Sequence, residues 1–284
     1  MSVLFCIVYQ SDKARQIIIL KLRKKDRIRH QLFQKMIRCD IIILRKSEKG
    51  IGMNQNICCL NGFSLKMIAI ITMLTDHIGA VLFPEEMVLR YIGRIAFPIF
   101  IFLMVEGFSY TRDVRKYEIR MMIFALISEI PFDLAFSETV VDRYNQNVFF
   151  TLAIGLVMMD LMERWKGTSW KQICTFITCM ALAELLCTDY GAAGILLIFV
   201  FYRFRERSVT KIVLTAIIAL VCYGPMEVFC LFAFIPILLY NGKRGPSLKY
   251  VFYAFYPVHL VILYLISLSG AVSGPMGVFG GILC

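Results

Sequence analysis

The stretch MLTDHIGAVLF, Met73 to Phe83, sets an aspartate beside a histidine inside an apolar run. Upstream the run continues back to Leu65, so residues 65–83 make a helix of roughly 28 Å, close to the hydrocarbon thickness of a bilayer. A carboxylate and an imidazole at that depth are costly unless they face a polar interior or a partner. The fold therefore reads as a membrane bundle with a polar centre.

The whole chain fits this reading. Hydrophobic residues make up 59% of it, against roughly 45–50% in soluble domains, and the mean hydropathy is +0.71. The net charge of +11 comes from Lys and Arg in short clusters between apolar runs, the pattern of membrane orientation and not of a nucleic-acid surface. The ten cysteines contain no CxxC pair and there are three histidines, so no zinc spacing is present and no metal is expected. The cysteines read as reduced packing thiols.

Apolar stretches recur over residues 65–83, 90–110, 119–137, 147–164, 171–188, 190–204, 211–224, 226–240 and 251–268. The expected architecture is an all-α, polytopic integral membrane bundle of about nine transmembrane helices. The loops TRDVRKYEIR, ERWKGTSWK, RFRERSVTK and NGKRGPSLK are basic, and the alternate connections are neutral or acidic. The positive-inside rule then predicts the N-terminus inside and the C-terminus outside, in the lipid bilayer of a bacterial-type cell membrane. Residues 1–60 form a basic extension, 61–270 the transmembrane domain and 271–284 a short uncharged tail. The extension reads either as a basic helix on anionic lipid or as a mis-assigned start, with Met53 opening the natural chain.

Depth arithmetic groups the buried polar residues. His77 lies roughly 18 Å into the first stretch and His259 roughly 14 Å into the last, so the two imidazoles can share one cavity. Arg90 and Arg94 share a helix face, as do Glu129 and Asp133, and Asn145 and Asn147 enter the fourth stretch. Adjacent residues on a helix point about 100° apart, so Asp76 is poorly placed to orient His77. The depth assigns Glu129 to His77 and leaves Asp76 to Arg94. Each residue also has a plainer reading. Asp76 with an arginine is equally a structural ion pair, Glu129 and Asp133 a cap on a helix kinked at Pro131, Arg90 a side chain reaching the headgroups, and His259 a satisfied core histidine.

The series LKMIAIITMLTDHIG, RYIGRIAFPIFIFLMVEGFSYTR, RMMIFALISEIPFDLAF, NVFFTLAIGL, DYGAAGILLI and FYPVHLVIL, in this order, resembles the TraX family of conjugal-transfer membrane proteins over Asn61 to Leu265. The likeness is strong through the first four stretches and thinner beyond them. It implies an integral membrane acyltransferase, since the family's namesake acetylates a pilin N-terminus, with acetyl-CoA as donor. The implied acceptor is an amine or hydroxyl of a peptide, pilin or glycan. The motif positions carried over are Asp76, His77, Arg94, Glu129, Asp133, Asn147 and His259.

In such a reaction His77 is the expected general base, with Arg94 or Asn147 holding the oxyanion. The basic loop at Arg112, Arg115, Lys116 and Arg120 is the expected place for the coenzyme phosphates, although positive-inside topology alone also explains it. A proton-coupled transporter using the buried Asp, His, Arg and Glu is the rival reading, and a non-catalytic scaffold a third.

Overall fold

The structure, a computed structural model, describes residues 58–137, 139–246 and 249–269. The basic extension up to residue 57 and the tail from 270 lie outside the described residues.

All regular structure among the described residues is helical. Asn61 starts α1 (Gly62–Val81) by accepting the Ser64 N–H at 2.9 Å. A turn through Pro84 leads to α2 (Met87–Gly93) and, after a break at Arg94–Ile95, to α3 (Ala96–Tyr110). Asp113 caps α4 (Val114–Phe136), which carries Pro131 inside it, and Asn147 caps α5 (Val148–Arg164). Then follow α6 (Ser169–Leu185), α7 (Gly191–Arg203) and α8 (Ser208–Ile218). The chain next widens into a π segment, Ala219–Tyr223, reverses at Gly224, and tightens into a 3-10 segment, Pro225–Ala233. The short α9 (Phe234–Leu238) and the long α10 (Lys249–Leu268) complete it.

Each of the nine apolar stretches is thus helical within a few residues of its expected ends. Nine spans is nevertheless more than the helices support by length and composition. Among the described residues three are long and apolar enough to cross a membrane: Gly62–Val81, Met87–Tyr110 and Val251–Leu268. The others fall short for visible reasons. Helices α5 and α6 have 17 residues and α7 has 13, α4 carries charges at both ends, and the last two stretches break into π and 3-10 turns.

The main core lies between α3, α5 and α7, where Ile99, Ile101, Leu156, Met158, Ile195 and Ile198 are fully enclosed. Gly155 lets α7 approach α5, because a Cβ there would occupy the place of the Ile198 side chain. Outside, the polarity is inverted relative to a soluble bundle. On α4 the residues Ile119, Met122, Ile123, Leu126, Ile127 and Ile130 form one exposed stripe at helical spacing, while Ser128 and Asp133 are buried. Apolar faces out and polar groups in are what a hydrocarbon solvent selects.

Helices α1, α4 and α10 run in the same direction. Phe63 meets Phe252 at one end, with ring centroids 5.7 Å apart, and Phe124 meets Tyr253 at 4.1 Å. Further along all three, His77 meets Phe136 at 5.4 Å and His259 at 5.0 Å.

Candidate functional site

His77 Nδ1 lies 2.7 Å from His259 Nε2, and His259 Nδ1 lies 2.7 Å from the Phe255 carbonyl. A carbonyl only accepts, so His259 Nδ1 carries a proton and donates it. In the neutral ring Nε2 is then an acceptor, which places the proton of the shared contact on His77 Nδ1. The chain of hydrogen bonds fixes both tautomers and leaves the lone pair of His77 on Nε2, to which no described group is bonded. Phe136, Tyr256 and Phe255 stand around the two rings. Met73, Ala96, Phe132 and Leu260 make the second apolar cluster beneath them.

Glu129, expected beside His77, is elsewhere. It accepts the Asn147 backbone N–H at 3.2 Å and a close hydrogen bond from the Asn147 side-chain amide. Asn147 also donates to the Ala125 carbonyl at 2.8 Å and accepts from the Phe149 N–H at 3.0 Å. Both ends of its amide are committed, so Asn147 is a cap and cross-link between α4 and α5 and has no group to spare for an oxyanion. Asp133 accepts the Asp142 N–H at 2.9 Å, which ties the following loop to α4. One oxygen of each carboxylate, Glu129 Oε1 and Asp133 Oδ1, is buried without a hydrogen-bond partner, as is Ser128 Oγ. These three lie on the stretch of α4 whose Phe136 packs on His77 and whose Phe132 packs on Phe136.

Asp76 points the other way, into an ion network. Arg90 reaches it at 2.7 Å and Arg94 at 3.1 Å, and Arg94 also holds Glu227 at 3.2 Å. Arg90 therefore serves a partly buried carboxylate instead of reaching the headgroups. Asp189 and Tyr190 lie within electrostatic reach of Arg94. Gly93 makes the network possible, because a Cβ at that position would coincide with the Asp76 side chain. Glu227 escaped the sequence reading, which took it as part of an outer turn. The available signal was charge balance, since two arginines beside one aspartate call for another acid.

The basic loop is not part of this site. Arg112, Arg115 and Lys116 are exposed at the start of α4, with Lys116 paired to Asp113 at 3.1 Å. The amide of Lys116 donates to Asp113 and holds that carboxyl below the usual range. Along α4 the loop stands roughly 25 Å from Asp133.

Among the described residues, all-helical structure with apolar outer faces, three span-length helices and buried polar clusters makes an integral-membrane type of helical bundle. The TraX protein family matches residues 61–267, and the chain belongs to that family. It is 30% identical over 233 residues to the probable fimbrial assembly protein FimC, serogroup H1, of Dichelobacter nodosus, covering 72% of this chain and 94% of that one. It is 24% identical over 219 residues to the protein TraX of Escherichia coli, covering 72% and 86%. No solved structure matches.

Proposed function

We propose that the chain is a membrane-embedded acyltransferase that moves an acetyl group from acetyl-CoA to an amine or hydroxyl of a peptide, pilin-like or glycan acceptor. The observation that carries this reading is the histidine relay. It leaves one imidazole nitrogen of fixed tautomer, among aromatic rings, with its lone pair available to take the acceptor's proton. His259 occupies the place that a carboxylate has in a hydrolase triad. It accepts from the base's other nitrogen and so holds the tautomer.

The transfer balances without a covalent enzyme intermediate. The acceptor nitrogen or oxygen attacks the thioester carbon as His77 Nε2 takes its proton. The tetrahedral oxyanion collapses, the carbon–sulfur bond breaks, and the proton returns to the departing thiolate. The names of the relatives, fimbrial assembly protein and TraX, favour a pilin-like peptide among these acceptors.

In this reading all nine helical segments are embedded, α1 entering from inside and α10 leaving outward. The parallel α1, α4 and α10 agree with that, since each would be an odd-numbered pass.

Titrating the purified protein in nanodiscs with acetyl-CoA, with thiol release followed beside a His77→Ala variant, tests the proposal. Saturable binding in both proteins, with thiol release lost in His77→Ala alone, is expected. A wild-type protein that stays folded and releases no thiol with any amine or hydroxyl acceptor overturns it.

A further inference from the structure

At the end of the bundle opposite the histidines, cations gather without carboxylates: Lys66 and Arg120 are partly buried and Arg244 is exposed. Lys66, one turn into α1, lies along the Phe252 ring of α10 with its ammonium 5.4 Å from the centroid. The Arg244 guanidinium is close enough to repel it. The backbone holds the two together, because the Gly62 N–H donates to the Lys243 carbonyl at 2.8 Å. A Cβ on Gly62 would stand 3.0 Å from the Arg244 carbonyl oxygen. On the other side of the first turns of α10, Arg120 lies 5.7 Å from the Tyr117 ring and near Tyr253, and its Nε is buried with no hydrogen-bond partner. Asp113 lies within electrostatic reach of Arg120 and is already held by Lys116. None of Lys66, Arg120 and Arg244 is ion-paired to a carboxylate among the described residues, whereas Arg90, Arg94 and Arg205 all are.

A partly buried ammonium beside an exposed guanidinium, with no carboxylate paired to either, favours an anion that completes the site. Aromatic walls from Phe252, Tyr117 and Tyr253 add a flat apolar lining. From Lys66 to His77 along α1 is roughly 17 Å at the helical rise.

We propose that Lys66 and Arg244 bind a phosphate group carried by a long, partly apolar molecule lying between the starts of α1, α4 and α10, with Arg120 a second cationic position across the first turns of α10. Two sources share that chemistry. One is the phosphates of a coenzyme-A thioester, whose pantetheine arm would run along α1 toward His77, and this source rests on the acyltransferase reading. The other is the headgroup of an anionic phospholipid. The site differs from the exposed loop at Arg112, Arg115 and Lys116 in that Lys66 and Arg120 are partly buried against aromatic rings.

The test uses the full chain in nanodiscs. Coenzyme A is titrated by calorimetry into protein in phosphatidylcholine, and bound phosphatidylglycerol is counted by native mass spectrometry after reconstitution in a mixed bilayer. The variants are K66Q/R244Q and the charge-keeping K66R/R244K. A tenfold or greater loss of coenzyme-A affinity in K66Q/R244Q, retained in K66R/R244K, supports the thioester source. Unchanged or absent coenzyme-A binding, with phosphatidylglycerol lost from K66Q/R244Q alone, supports the lipid source. If K66Q/R244Q remains folded and neither ligand distinguishes it from wild type, the site is overturned. Phosphate binding that persists in a protein inactive in thiol release counts against acyl transfer and leaves the site standing.

Discussion

His259 acts on the proposed chemistry through another residue, and this makes its role separable from a packing role. Replacing it by alanine removes the acceptor for His77 Nδ1–H, so the ring is free to rotate or change tautomer. The expected outcome is a loss of transfer rate of about 10²-fold or more, with acetyl-CoA affinity unchanged. His259→Gln should recover part of the rate, because a side-chain amide oxygen stands near the position of Nε2. Equal losses in both variants would reduce His259 to packing. Asp76 behaves differently. Asp76→Asn leaves Arg90 and Arg94 opposite Glu227 alone, an uncompensated partly buried charge. It should cost about 3 kcal/mol in stability, read as a shift in the denaturation midpoint. The sequence placed both histidines at one height because helical rise converts residue number directly into depth. It could not place Glu129, since depth says nothing about which way a helix is turned. Asn147, one helix along, captured that carboxylate.

Among the elements, α2 is short, and its position depends on the absence of a side chain at Gly93. Gly93→Ala should drive the Asp76 carboxylate off its arginines and cost about 1–3 kcal/mol, as overpacking does, checked by thermal denaturation in detergent. At the start of α4 the Asp113 cap gives a pH dependence of definite sign. Its carboxyl is held below the usual range by the Lys116 N–H. The cap therefore contributes fully above the ordinary carboxylate pKa and is lost as pH falls through the lower, folded value. Amides of the first turn of α4 should lose hydrogen-exchange protection at acid pH before those around Met121. Helix positions were legible through the described residues because apolar runs mark them. Their lengths misled where a run is helical without being a straight α-helix. From Ala219 to Ala233 the chain spends its apolar residues on a π turn, a reversal at Gly224 and a 3-10 segment, and periodicity at one letter per residue does not separate these from a continuous span.

For the molecule as a whole, orientation is the quantity to measure. In a cysteine-free background, a single cysteine at Tyr144 should react with a membrane-impermeant maleimide added to intact cells. One at Lys166 should react only after permeabilisation. The reverse pattern would invert the proposed topology and put the cationic end of α1, α4 and α10 outside. The short core helices α5 and α7 are less of an obstacle to embedding than their lengths suggest. Much of their surface meets other helices, so it is the outer helices that must match the hydrocarbon.

The histidine pair joins residues 182 positions apart, from α1 and α10. Helices that run in the same direction cannot be hairpin partners, so the chain must complete the intervening helices before they meet. The α3, α5 and α7 core is encoded by residue 203, well before the second imidazole leaves the ribosome. A partly synthesised or truncated chain would therefore be packed but lack the histidine pair, and the proposed transfer would read out completed assembly.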